Sequence, residues 1–106
     1  MRFGPLERRV LEALWGRSSE AKVRDLKPSF PDIAYTTLMT TLDRLHRKGV
    51  LARVMDGRAF AYQPRVTRAE AALSFLVEEV GDLDVQALDE LERLVRERRR
   101  KLESRS

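Results

Sequence analysis

One stretch of the chain concentrates hydroxyl and basic side chains: Tyr35, Thr36, Thr37, Thr40, Thr41, Arg44, Arg47 and Lys48. These groups make hydrogen bonds and carry charge, but they do not by themselves make or break covalent bonds. A threonine offers a hydroxyl and a methyl, which suit a base edge, a thymine methyl or a phosphate. An arginine can bond the edge of guanine with two parallel hydrogen bonds. Arginine and lysine also neutralise backbone phosphates. The chemistry implied is recognition of double-stranded DNA. Two further arginines, Arg53 and Arg58, flank an Asp56-Gly57 pair and are expected near the tip of a hairpin.

The residues needed for catalysis or metal binding are missing from the same inventory. The 106 residues include no cysteine and a single histidine, His46. Disulfides, thiolate metal sites and histidine clusters are therefore excluded. Asp43 is close to His46 in sequence, and Ser18, Ser19 and Ser74 have no evident base. No catalytic constellation, metal site or cofactor is expected. The N-terminal residues lead directly into Glu7-Arg8-Arg9, unlike a secretory leader, and no apolar run has membrane-spanning length. A cytoplasmic protein that does not contact a membrane is expected.

The elements that would position these residues follow from periodicity. Residues 5–16 form a helical pattern, with Pro5 in the first turn, apolar Leu6, Val10, Leu11 and Leu14, and Gly16 as a stop. Trp15 ends this helix as a core or hinge aromatic. Ser18 or Ser19 caps a short second helix running to about Lys27, with Val23 and Leu26 buried. Pro28 and Pro31 then break the chain around Phe30, an expected core anchor. A third helix runs from about Ala34 to Lys48 and stops at Gly49. Leu38, Leu42 and Leu45 form its buried stripe, and the threonines and arginines lie opposite. Threonine is a poor helix former, so four on one face suggest a surface shaped for contact rather than for helix stability.

Val50–Met55 and Arg58–Tyr62 are β-capable runs around Asp56-Gly57. This is a hairpin signal, and a type I′ turn there requires positive φ at both central residues. Thr67 and Glu70 have the spacing of a capping box and open a fourth helix. Gly81-Asp82 interrupts the chain, and a fifth helix spans about Asp84 to Glu103. Leu88, Leu91, Val95 and Leu102 approximate a heptad seam, broken by Arg98.

Three helices followed by a hairpin is the order of a winged helix-turn-helix, whose third helix enters the major groove. The expected fold is therefore mostly α with a small β-hairpin wing. Residues 1–66 would form the DNA-binding domain, and residues 67–106 a helical dimerisation region. Charge is divided in the same way. Lys and Arg outnumber Asp and Glu by 13 to 7 over residues 1–66, whereas residues 67–106 carry 8 against 10. The basic excess lies where phosphates would be met. The apolar surplus of the last two helices, at Leu73, Leu76, Val80, Leu88, Leu91, Val95 and Leu102, suits pairing with a second copy.

Leu6–Trp15 resembles the first helix of the penicillinase repressor family of winged-helix transcriptional repressors. Ala34–Leu45 followed by Arg47-Lys48-Gly49 resembles that family's recognition helix, and the hairpin ending in Phe60-Ala61-Tyr62 is similar as well. Residues 71–95 resemble the family's dimerisation helices more loosely. The resemblance implies a homodimeric repressor on inverted-repeat operators, with the DNA-reading positions at Thr36, Thr37, Thr40 and Arg44.

The resemblance also implies a sensor protease as partner. In the antibiotic-responsive branch an Asn-Phe bond is cut, and the corresponding bond here is Ser74-Phe75, without the asparagine. The copper-responsive branch uses a cysteine-rich tail, which this chain lacks. The stretch between Tyr62 and Ala71 is short by roughly one helix, which implies a smaller or differently arranged dimer. Two alternatives stand beside a repressor: a winged helix that docks protein, and a ligand-sensing regulator. The basic cluster around the third helix disfavours the first. The second needs a pocket, for which so small a core leaves little volume.

Overall fold

The computed structural model describes residues 3–105; the expected domain limits at residues 1 and 106 lie outside them. The element order is α1 (Pro5–Trp15), α2 (Val23–Leu26), a 3-10 turn (Lys27–Ser29), α3 (Tyr35–Arg47), β1 (Leu51–Asp56), β2 (Ala59–Pro64), α4 (Arg68–Val80) and α5 (Val85–Glu103). This is the expected class, mostly helical with a two-stranded antiparallel hairpin. The chain divides into two units, one running to Ala72 and one from Leu73, so the division falls inside α4.

The first unit is built around α3. Its Leu38, Leu42 and Leu45 are fully buried, together with Val10 and Leu11 of α1 and Leu51 of β1. Phe30 is buried between its two prolines, as expected. The end of α3 is set by a Schellman motif. Gly49 N–H donates to the His46 carbonyl at 2.9 Å and Val50 N–H to the Leu45 carbonyl at 3.2 Å. Gly49 makes this possible with a φ of 84°. Leu45 and Val50, the apolar pair of the motif, are both buried.

Two local expectations are corrected. The second helix does not start at Ser18 or Ser19. Ala21 forms a β-bridge with Tyr62 in both directions, at 2.9 and 2.8 Å, and this extended segment delays the helix to Val23. Lys22 then caps it, its N–H donating to Asp25 Oδ2 at 2.9 Å.

The hairpin turn is also not type I′. Asp56 pairs with Ala59, so the central residues are Gly57 and Arg58 rather than Asp56 and Gly57. Gly57 has φ of 69°, and among the described residues no non-glycine residue, Arg58 included, has positive φ, which is the φ pattern of a type II′ turn. Gly57→Ala should therefore destabilise the hairpin by about 1–2 kcal/mol, the cost of a left-handed residue with a Cβ. Thermal unfolding checks this, and an unchanged midpoint would mean that the turn can rearrange.

At the other end of the unit, Trp15 Nε1 donates to the Val66 carbonyl at 3.0 Å. Thr67 and Glu70 form the expected capping box. Arg68 stacks over Trp15 and pairs with Glu12, which fastens the start of α4 to α1.

In the second unit α5 starts where expected, with Asp84 Oδ1 accepting from Ala87 N–H at 2.8 Å. Along α5 Arg96 lies 3.5 Å from Glu92, and Arg93 reaches both Glu90 and Glu97. Among the described residues no helix is long and apolar enough to cross a membrane.

Candidate nucleic-acid interface

An α-helix turns once in about 3.6 residues, so α3 presents Leu38, Leu42 and Leu45 on one side and Thr36, Thr40 and Arg47 on the other. Burial follows this pattern. Tyr35, Thr36, Thr37, Thr40, Arg44 and Arg47 are all exposed. Thr40 Oγ1 donates to the Thr36 carbonyl at 3.0 Å, which fixes its rotamer and leaves its methyl and lone pairs outward. Arg44 and the wing-tip Arg58 are exposed, and no hydrogen bond or ion pair holds their side chains among the described residues.

Three residues counted with this face behave otherwise. Thr41 is 3% exposed, and its hydroxyl donates to the Thr37 carbonyl at 2.7 Å. It lies one turn from Leu38 and Leu45, on the edge of the stripe that packs inward, so it is a core residue. Lys48 caps α3 but turns back to the buried Glu7, with Nζ 2.8 Å from Oε2. Arg53 does not flank the hairpin tip. It pairs with Tyr62 in the middle of the hairpin, its guanidinium 4.0 Å over the Phe60 ring and 3.0 Å from Asp43 Oδ1. His46, near the end of α3, has its Nδ1 3.1 Å from the Leu51 carbonyl and donates to it.

Besides the His46–Leu51 hydrogen bond, further links hold the wing against the helices. The Ala21–Tyr62 bridge joins it to the segment before α2. Arg53 joins β1 to Asp43 of α3. Lys22 lies 3.4 Å from Asp56, close to the turn. Sequence reasoning missed Lys22 and Asp43, because neither has a periodic or motif signal. Only the folded hairpin brings their partners close.

Between α3 and the wing lies a cleft of about 570 Å³, lined among others by Tyr35, Met39, Met55, Arg58, Phe60 and Tyr62. The volume argument from chain length did not anticipate it. The cleft is formed by the outer sides of elements whose inner sides make the core. Among the described residues no group of acids and histidines could hold a metal ion.

The sequence profile described as Penicillinase repressor matches residues 3–91. The chain belongs to the penicillinase repressor family. It is 35% identical over 86 residues to the transcriptional regulator BlaI of Mycobacterium tuberculosis, in strains CDC 1551 and H37Rv alike. That alignment takes in 78% of this chain and 62% of the relative, so the chain spans less than two thirds of the length of these curated relatives.

Among solved structures, M. tuberculosis Rv0081 is 27% identical with a TM-score of 0.54, over 90% of this chain and 82% of that one. A MarR family protein from Bacillus stearothermophilus has a TM-score of 0.55 at 18% identity, over 96% of this chain and 76% of that one, a likeness of fold alone. Within the penicillinase repressor family profile lie the whole winged unit from Phe3 onward, α4 and the first turns of α5.

The remaining expected site residues lie in α4 and α5. Leu73, Leu76, Val95 and Leu102 are exposed, and Val80, Leu88 and Leu91 are half-buried. Ser74 and Phe75 are exposed within the helical run of α4.

Proposed function

We propose that this chain is a DNA-binding transcriptional repressor that acts as a homodimer on an inverted-repeat operator. The exposed face of α3, with Thr36, Thr37, Thr40, Arg44 and Arg47 together and Arg58 on the wing beside it, carries the reading. Support also comes from membership of the penicillinase repressor family and from the basic excess of residues 1–66. Helix α3 lies in the major groove, where Arg44 and the threonines meet base edges, and Arg47 and Arg58 meet phosphates. Exposed apolar side chains of α4 and α5 pair two chains, so that two recognition helices meet two half-sites. Bound across a promoter, the dimer blocks polymerase.

Fluorescence anisotropy tests this, with an inverted-repeat duplex from upstream of the protein's own gene, a scrambled duplex and a salt series. Preference for the repeat at two chains per duplex, with affinity falling steeply with salt, is the expected result. Absence of binding at low salt would overturn it. Within that assay Arg44→Ala should cost about 1–3 kcal/mol on the repeat and relax sequence preference. Equal weakening on both duplexes would make Arg44 a phosphate contact instead.

A further inference from the structure

Asp43 is the one acidic residue of α3, and it stands where α3 meets the wing. Its Oδ1 accepts a hydrogen bond from Arg53 Nη1 at 3.0 Å, and its Oδ2 lies 3.0 Å from Arg47 Nε. A single carboxylate thus holds two guanidinium groups, from two different elements. Arg53 has other restraints. It stacks on Phe60, and contact with Tyr62 and then with Asp43 outweighs burial and holds its pKa above the ordinary arginine value. Arg47 is different: its side chain is 80% exposed, and Asp43 is its ion-pair partner. A brace for the wing would need the bond to Arg53 alone. The second contact withholds a positive charge from the surface that the proposed function turns toward DNA.

We propose that Asp43 is a positioning residue that sets discrimination between the operator and other DNA, by occupying Arg47 and Arg53 and by opposing phosphates with its own charge. The inference rests on the DNA-binding reading above. A duplex held at this face by its phosphates alone brings its backbone near the Asp43 carboxylate, and like charges brought together cost affinity. On the operator, bonds from Thr36, Thr40 and Arg44 to base edges set a pose that holds the backbone clear of that carboxylate, so the cost falls on random DNA.

The test is Asp43→Asn, which keeps the shape and an acceptor for Arg53 but removes the charge. Its thermal unfolding is compared with the parent protein first. Anisotropy then follows binding to the inverted-repeat and scrambled duplexes across a salt series. Affinity for the scrambled duplex is expected to rise about tenfold, while affinity for the repeat changes much less. The salt slope on the scrambled duplex should steepen by about one as the released Arg47 neutralises a phosphate, a change that a mere brace would not produce. In an Arg47→Ala background the gain should shrink, because the two side chains act as a pair.

Equal weakening on both duplexes with an unchanged slope would make Asp43 a brace and overturn the proposal. So would unchanged binding to both. A parent protein that prefers the repeat, with Asp43→Asn retaining the full preference, removes only this role. A parent protein that binds neither duplex removes the DNA-binding reading itself.

Discussion

Replacing Lys48 by methionine is expected to destabilise the first unit by about 2–4 kcal/mol near neutral pH and to reverse its pH dependence in the acid range. The cause is Glu7, a carboxylate only 6% exposed in the first turn of α1. Its Oε1 accepts from Gly4 N–H and from Lys48 Nζ, both at 2.9 Å, and its Oε2 lies 2.8 Å from the same ammonium. Burial pushes the Glu7 carboxyl up, but Lys48 and the Gly4 amide outweigh it and hold the pKa below its ordinary value of 4.5.

In the parent protein the unfolded chain therefore takes up this proton first as pH falls. The contribution of Glu7 to stability is present above the ordinary value and lost as pH drops through the folded one. Methionine removes the ammonium and leaves the burial. The folded pKa then lies above the unfolded one, so stability is lost as pH rises and regained toward 4.5. Urea unfolding at neutral pH and near that value checks both the size and the sign. Adding Glu7→Gln to Lys48→Met should recover part of the loss, since no buried charge is then left unpaired. Parallel pH profiles for parent and variant would show that Glu7 is solvated well enough to need no partner.

Lys48 also shows where reading the sequence succeeds and where it stops. Leu38, Leu42 and Leu45 recur at helical spacing, so the buried side of α3 and its end at Gly49 were legible, and so was the hairpin that follows. The helix-turn-helix order came from these elements and from Phe30 between its prolines. What periodicity cannot say is how far a polar residue at the border of the buried stripe turns inward. Thr41 and Lys48 sit at that border, one beside Leu45 and one at the helix end, and both turn inward. For Lys48 the cause is Glu7, which reads in sequence only as an acid suited to a first turn.

The hairpin was placed correctly, but its turn was shifted by one residue. Asp-Gly suits the centre of a type I′ turn, whereas pairing of Asp56 with Ala59 moves Gly57 to the first central position. The start of the second helix was missed for a related reason. Two serines make good caps, yet the β-bridge from Ala21 to Tyr62 depends on a strand that lies far along the chain. Local signals are overridden wherever a partner from elsewhere in the chain satisfies the same backbone groups.

Val95→Glu combined with Leu102→Glu is expected to give a monomer that binds the inverted repeat on the order of 100-fold more weakly, because the second half-site loses its tethered partner. Helix α5 has 19 residues, and Leu88, Leu91, Val95 and Leu102 follow heptad spacing along it. Val95 is 49% and Leu102 48% exposed, while α4 exposes Leu73, Phe75 and Val77. So much apolar surface on two helices is unusual for a chain that stays single in water.

The two chosen positions separate assembly from folding. Both are exposed in the single chain, so a carboxylate at either should change its own stability by no more than about 0.5 kcal/mol. Across a twofold axis the same carboxylates would be buried against apolar neighbours and against each other, which a dimer of this size cannot tolerate. Sedimentation gives the state of the chain, and anisotropy on the repeat gives the consequence for binding. Affinity for the scrambled duplex should fall far less, since phosphate contacts of one unit do not need a partner in register. A dimer that survived both charges would move the interface from α5 to the exposed side of α4. A monomer that kept full affinity for the repeat would break the link between twofold pairing and operator recognition, and the homodimeric reading would fall with it.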